Sequence, residues 1–116
     1  MNKVSVGKRY EDEVAAWLDE HGYSVLERNF RFRHKEIDII AEKDNLLVFV
    51  EVKYRKDGAF GTGLEAVTAS KRRNVRTAAC YYIEKNRRYD CNVRFDVASF
   101  EREKLLYIED AFQLTK

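Results

Sequence analysis

Between Glu36 and Arg55 the chain reads Glu-Ile-Asp-Ile-Ile-Ala-Glu-Lys-Asp-Asn-Leu-Leu-Val-Phe-Val-Glu-Val-Lys-Tyr-Arg. Two apolar runs, Ile37 to Ala41 and Leu46 to Val52, flank a polar Lys-Asp-Asn turn. Both runs are rich in Val, Ile and Phe and too short for helices, which predicts a β-hairpin. Each run also carries charge where a buried strand should carry none. Asp38 sits among isoleucines, and Glu51 and Lys53 sit among valines.

Strand side chains alternate between faces, so residues two apart share one. Glu36 and Asp38 are expected on one face, with Ile37, Ile39 and Ala41 on the other. In the second strand Glu51 and Lys53 share a face opposite Val48, Val50 and Val52. A two-residue Asp44-Asn45 loop pairs Lys43 with Leu46 and sets Asp38 opposite Glu51. A three-residue loop gives Asp38 the partner Val50 instead. Asp and Asn both tolerate the positive φ that such turns require.

Opposed carboxylates repel unless something neutralises them. A divalent cation does so, and hard oxygen ligands suit Mg²⁺ or Mn²⁺. Lys53, two residues beyond Glu51, would lie beside that cation, placed to orient a water or to stabilise charge developing on a phosphate. Asp…Glu-Val-Lys therefore has the layout of a metal-dependent phosphodiesterase site. The plainer reading is a solvated strand face with a cross-strand Glu–Lys pair, since antiparallel sheets often have one charged outer face.

Asp38 with Glu51-Val52-Lys53 resembles the PD-(D/E)XK nuclease motif. Around it fall, in order, Gly22-Tyr23, Val25-Leu26, Arg28-Asn29-Phe30-Arg31, Glu36 to Ala41, Val48 to Arg55, Phe60-Gly61, Glu65-Ala66-Val67, Lys71 and Arg94-Phe95-Asp96-Val97. This ordered set covers nearly the whole chain. It resembles the YraN-like family of predicted endonucleases, relatives of archaeal Holliday junction resolvases. The resemblance implies an α/β, restriction-endonuclease-like fold, a mixed central β-sheet flanked by helices. It implies Asp38 and Glu51 as metal ligands, Lys53 as the catalytic lysine, and Glu11 on the first helix as a further metal ligand and catalytic residue. It also implies Mg²⁺ or Mn²⁺ as cofactor, DNA as partner and, because resolvases make two cuts, a homodimer. Two positions depart from the family pattern. Lys35 and Tyr10 stand where the family usually has glycine before the Glu-Ile-Asp run and before the helix-1 glutamate.

The rest of the chain reads as one domain spanning residues 1–116. A first helix is expected from Val6 to His21, capped by Ser5 and ended by Gly22. Its apolar stripe is Tyr10, Val14, Trp17, Leu18 and His21. Glu11, Asp12 and Glu13 would then favour the helix dipole, which is the plain reading of Glu11. A first strand runs from Tyr23 to Phe32. Lys56 to Gly63, with three glycines, is expected as a loop without the ending of a P-loop. A second helix spans Ala69 to Asn86 with Thr68 as cap, burying Val75, Ala78, Ala79, Tyr82 and Ile83. Strands follow at Asn92 to Phe100 and Leu105 to Ile108, and Glu109 to Lys116 is expected as a tail that Phe112 and Leu114 could tie down. Asp96 is expected to be a structural hydrogen-bond or ion-pair partner. Cys80 and Cys91, without CxxC spacing, are expected reduced and buried.

The distribution of charge says more than the net +2. From Arg28 to Arg88 there are fifteen Lys or Arg against eight Asp or Glu, while the remainder has seven against twelve. A basic middle surrounding an acidic pair suits a protein that binds a polyanion and cuts it with a cation. Arg31, Arg33, Arg55, Lys71 and Arg72 are the expected DNA-phosphate contacts. Lys71, Arg72, Arg73 and Arg76 load the first two turns of the second helix. Cations there oppose the dipole, which suggests that they serve an anion, the nucleic-acid backbone; simple solubility is the alternative. No helix-turn-helix or zinc finger is present, so recognition is expected through backbone and shape. Met1 to Glu13 has no apolar signal core, and no stretch is long enough to cross a membrane, so a cytoplasmic protein is expected. The expected function is a metal-dependent endonuclease of DNA, on branched or junction DNA in repair or recombination. Two alternatives stand beside it: a nucleic-acid-binding module on a nuclease fold without turnover, and a protein-interaction subunit with a solvated acidic face.

Overall fold

The computed structural model describes residues 3–55 and 68–114. Its elements run α1 (Lys3–Glu20), β1 (Ser24–Phe32), β2 (Lys35–Lys43), β3 (Leu46–Arg55), α2 (Ala69–Lys85), β4 (Asn92–Glu101) and β5 (Lys104–Phe112). The strands form one five-stranded sheet in the order β1-β2-β3-β4-β5. All neighbours are antiparallel except β3 and β4, which are parallel and joined through α2.

The helices cover opposite faces of the sheet. Tyr10, Val14 and Leu18 of α1 pack with Ile39, Ala41, Val48, Val50, Ala98 and Phe100. Val75, Ala78, Ala79 and Tyr82 of α2 pack with Ile37, Ile40, Leu47, Phe49, Phe95, Val97 and Phe112. Alternation along β3 feeds both cores, and each such residue fully buried contributes roughly 1.5–3 kcal/mol. Tyr10 is a core residue. Its ring centroid lies 4.6 Å from that of Phe100 and 4.7 Å from that of Tyr54.

The helix ends follow local chemistry. Gly22, with φ 87°, closes α1: its N–H bonds Asp19 O, and the Tyr23 N–H bonds Leu18 O. This paired ending needs a residue in the left-handed region, which glycine adopts without steric cost. Thr68 caps α2 by accepting from Lys71 N at 3.1 Å. The first helix starts at Lys3 rather than Val6, so Ser5 lies inside it and is not its cap. Glu11, Asp12 and Glu13 consequently sit mid-helix, too far from the N-terminus for the dipole to account for them.

The hairpin forms with the two-residue loop. Lys43 pairs with Leu46 and Ile39 with Val50, and Asp44 takes φ 55°. One expectation fails on β2. Ile37 packs on the α2 side with Ile40, while Ile39 and Ala41 pack on the α1 side. The face switches between Ile37 and Ile39, and opposite on β1 it switches between Arg28, which reaches α1, and Phe30, which packs toward α2. Asn29, between them, has φ 54°. A left-handed residue reverses the pleat locally, and the paired strand follows.

The C-terminal expectation also needs correction. The predicted tail is largely strand: β5 runs to Phe112, which is buried and stacks on Phe95 at 4.9 Å. Asp110, with φ 55°, interrupts regular alternation, and the β4–β5 register shifts between Phe95 and Val97. Asp96 accounts for this irregularity. Its fully buried carboxylate accepts from Arg94 Nε at 2.9 Å, Tyr107 Oη at 2.6 Å and Asp110 N at 2.9 Å. Cys80 is exposed on the outer face of α2 and Cys91 half-buried, and both are free thiols, so Cys80 departs from the buried position expected of it. No helix among the described residues is long and apolar enough to cross a membrane. Residues 56–63, expected as a loop, lie outside the described residues.

Candidate active site

The β2–β3 ladder ends at Ile39↔Val50. Beyond it, Val52 N–H has no strand partner in β2, and the Asp38 side chain fills that place, its Oδ2 accepting from Val52 N at 2.8 Å. Asp38 stands where the pleat switches face, between Ile37 and Ile39, and its carboxylate takes the place of the missing ladder bond. The same register carried one step further sets Glu51 beside it.

Glu51 is 2% exposed and reaches toward α2, where its Oε2 lies 3.0 Å from Lys71 Nζ. Its other oxygen, Oε1, is buried without a hydrogen-bond partner. Burial, with the Asp38 charge behind it, pushes the Glu51 carboxyl up to about 8 against the pull of Lys71. Burial opposes the charge on Lys71, but Glu51, Asp38 and Glu36 together outweigh it and hold the ammonium above the usual lysine value. Lys71, expected on a DNA phosphate, is thus the counter-charge of the acidic pair.

Lys53 is half-buried and shares the α2-facing side of β3 with Glu51. Its partner in the parallel strand is Ser99, and Ser99 Oγ is also buried without a partner. Glu51, two residues before Lys53 on the same face, and Ser99, its register partner in β4, thus both stand near the carboxyl ends of the parallel strand pair, where open α/β sheets place their ligands. Leaving such buried polar atoms unpaired is costly, and that cost falls when a ligand supplies the missing partner. Ser99 was not singled out from the sequence. Its signal is a lone hydroxyl within the apolar run Val97-Ala98-Ser99-Phe100.

Glu11 stands apart from this pair. Its Oε1 accepts from Asn29 Nδ2 at 3.2 Å and meets Arg28 Nη2 at 3.4 Å. Arg28 bonds Asp12 more closely, at 2.7 Å, and that bond outweighs burial in holding its pKa up. These residues line an open groove of about 600 Å³ bounded by Gly7, Lys8, Glu11, Asn29, Arg31 and Glu36. Arg31 is exposed and pairs with Glu36 at 3.2 Å. Arg33 is exposed at the β1–β2 turn, and the Arg55 side chain lies outside the described residues. Among the described residues, no group of three or more His, Cys, Asp or Glu is arranged to hold a metal ion.

A second concavity, about 190 Å³, opens at the start of α2 and is lined by Ala69, Arg72, Arg73 and Arg76. Arg76 is fixed by its Nε bond to Gln113 O at 2.7 Å. Arg72 and Arg73 form no ion pair among the described residues. Three guanidinium groups therefore gather without an acid among the described residues, at the helix end where the dipole also disfavours them. The sequence pointed to all three, with Lys71, as cations of the first two turns that serve an anion, and helical spacing brings the three arginines together.

The profile of the uncharacterised protein family UPF0102 matches residues 10–100. A UPF0102 protein of Sulfurihydrogenibium sp. (strain YO3AOP1) is 41% identical over 114 residues, covering 98% of this chain and 99% of that protein. A UPF0102 protein of Lachnoclostridium phytofermentans is 43% identical over 113 residues, covering 97% and 96%. Among solved structures, the chain is similar to Archaeoglobus fulgidus Hjc, a Holliday junction resolvase from an archaeal hyperthermophile. That likeness has a TM-score of 0.53 at 14% identity, and it covers 87% of this chain and 73% of that one. At that identity the likeness is one of fold, and the fold is restriction-endonuclease-like. By the profile and by relatives matched along nearly their whole length, the chain belongs to the UPF0102 family, the YraN-like family that its ordered motifs resemble.

Proposed function

We propose that this protein is a metal-dependent endonuclease that hydrolyses DNA phosphodiester bonds. One observation carries the reading: a nearly inaccessible Glu51, with one oxygen unpartnered, faces Asp38 on a nuclease fold. A protein gains nothing in stability from two acids placed so. A divalent cation would neutralise both, and the donor set of carboxylate oxygens fits Mg²⁺ or Mn²⁺. Asp38 and Glu51 would hold the ion. Glu11 is assigned as a further ligand from the family resemblance alone: it stands apart from the pair on bonds to Asn29 and Arg28, and would have to leave them to reach the ion.

When bound, the ion supplies Lewis acidity and lowers the pKa of water near it. Lys53, with Ser99 beside it, is placed to orient the attacking water or to neutralise charge growing on the phosphorus oxygens. Arg31, Arg33, Arg72, Arg73 and Arg76 present cations to the backbone on either side, and Arg55 is assigned the same role from its place in β3. Such contacts position DNA without reading its sequence. Branched or junction DNA is the substrate class that the likeness to a junction resolvase suggests, and with it a homodimer that makes paired cuts.

The Lys71–Glu51 ion pair favours a second reading. An internal cation already occupying the acidic pair suits a DNA-binding module that has no turnover. Cleavage of labelled branched, flap and linear DNA in Mg²⁺ or Mn²⁺ separates the two. Cutting by wild type, lost in Asp38→Asn and in Lys53→Ala, is the expected result. Binding of all these DNAs with no cutting of any would give the second reading the field.

A further inference from the structure

Away from the acidic pair, one surface joins aromatic rings to cations. Phe32 ends β1, and Tyr81 of α2 stacks on it with ring centroids 4.2 Å apart and planes 21° apart. The Arg33 guanidinium lies 5.2 Å from the centre of the Phe32 ring. Phe30 anchors the group inward through an edge contact with Tyr82 at 5.2 Å. Tyr82 fills the core, whereas its neighbour Tyr81 is 40% exposed. Arg33 and His34 stand exposed at the adjoining turn.

Covering Phe32 does not require a second ring; an aliphatic side chain on α2 would serve. An exposed ring already stacked on another, beside an arginine, offers a flat apolar face next to a positive charge. A nucleobase with its phosphate has the complementary shape and charge. Inside a duplex each base is covered by its neighbours, so away from its ends a duplex offers such a face nothing, and an unpaired base is the fitting partner. The platform also lies close to the site. Phe32 pairs with Lys35, three residues before Asp38, roughly 10 Å along the strand.

We propose that Tyr81 and Phe32, with Arg33, form a stacking platform for an unpaired nucleobase of DNA bound across the Asp38–Glu51 site. The preferred substrates then carry single-stranded nucleotides beside the bond to be cut. This assignment rests on the nuclease reading for its substrate, but its test does not need cleavage.

The test is fluorescence anisotropy in chelator at fixed salt, with a paired duplex, the same duplex bearing a single-stranded flap, and a single strand. Wild type should bind the flap and the single strand more tightly than the duplex. Tyr81→Ala should weaken those two by about 10-fold and leave the duplex within about 2-fold. Tyr81→Phe, which keeps the ring, should bind like wild type, and its melting temperature beside that of Tyr81→Ala controls for folding. A 5-iodouracil in the flap should photo-crosslink to Tyr81 or Phe32. Equal weakening on all three DNAs, or none on any, would overturn the platform. If wild type cuts DNA but Tyr81→Ala binds the flap normally, the platform falls and the nuclease reading stands. If ring-dependent binding appears and no DNA is cut, the platform stands and the nuclease reading falls.

Discussion

Lys71 Nζ lies 3.0 Å from Glu51 Oε2, so the single buried acid of β3 is neutralised by a helix twenty residues downstream. The pair joins α2 to the sheet at the point where Asp38 also faces Glu51. Its energetics govern what the metal-free protein does as pH changes and what a metal must displace.

Glu51 titrates far above its usual place. Burial and Asp38 raise its carboxyl from 4.5 to about 8. Below about pH 4.5 folded and unfolded chains both hold the proton, and the protonated group's contribution is complete. Between the two values only the folded chain holds it, so stability falls as pH rises, by at most ~1.4 kcal/mol per pH unit. The loss is complete once pH passes about 8. Glu51→Gln should flatten this stretch of the curve. Urea unfolding in chelator across that range checks it, and a wild-type curve as flat as the variant's sinks the idea.

Removing Lys71 should be harmful only where Glu51 is charged. Lys71→Met leaves an uncompensated buried carboxylate at high pH, a loss of about 3–5 kcal/mol. At pH 6 the proton on Glu51 replaces the lost cation and the cost should be much smaller. Glu51→Gln in the same background should restore most of the high-pH loss, giving a coupling energy in a double-mutant cycle. Equal destabilisation at both pH values would mean that Lys71 acts through packing of its stem rather than through charge.

Asp38→Asn tests the acidic pair from the other side. The asparagine carbonyl can keep the bond to Val52 N–H now made at 2.8 Å, so the change removes charge alone. Above about pH 8, where Glu51 is charged, relief of the repulsion should stabilise the metal-free chain by about 1 kcal/mol, or roughly 4 °C in melting temperature. The gain should shrink as pH falls and Glu51 takes up its proton. Mn²⁺ at millimolar concentration should stabilise wild type by mass action and the variant hardly at all. A wild-type melting temperature indifferent to Mn²⁺ would count against the site.

Much of this arrangement was legible in the sequence, and the exceptions have physical causes. The Asp44-Asn45 loop set the hairpin register because a two-residue turn allows one pairing. Thr68 could be read as a cap because its hydroxyl sits three residues before an N–H in need of an acceptor. Ile37 was misplaced because alternation assumes an unbroken pleat, and the break depends on the left-handed Asn29 in the neighbouring strand. Lys71 was assigned to DNA because helical position fixes which way a side chain leaves its helix but not what the sheet presents to it. The end of β5 looked like a tail because an edge strand keeps a polar face and Asp110 interrupts its alternation. Both that bulge and the Asp96 carboxylate that holds it arise from residues far apart in the chain.

Asp96 should prove structural. Tyr107 donates to its buried carboxylate at 2.6 Å, and Tyr107→Phe removes that donor while keeping the ring that stacks on Trp17. Because the bond is to a charged group, about 1.5–3 kcal/mol of stability should be lost. DNA binding and any cutting, measured per folded molecule below the lowered melting temperature, should be unchanged. A selective loss of cutting in a fully folded Tyr107→Phe would assign this network a part in the chemistry that its position on the α1 side gives no reason to expect.

The arginine concavity at the start of α2 makes a prediction about salt. Arg72 and Arg73 gather beside Arg76 with no acid among the described residues to balance them, against the helix dipole. If DNA phosphates provide the balance, each arginine releases counterions on binding. Replacing both by alanine should then make the slope of log K against log salt shallower by about 2. The effect should be alike on duplex and flap, because these contacts read charge. That distinguishes them from the ring of Tyr81, whose loss should tell flap from duplex. Lys104→Ala, an exposed cation on β5, serves as the control and should leave the slope nearly unchanged. If the double variant keeps the wild-type slope, the DNA does not cross this end of α2, and its path must run along the groove lined by Lys8, Arg28 and Arg31 instead.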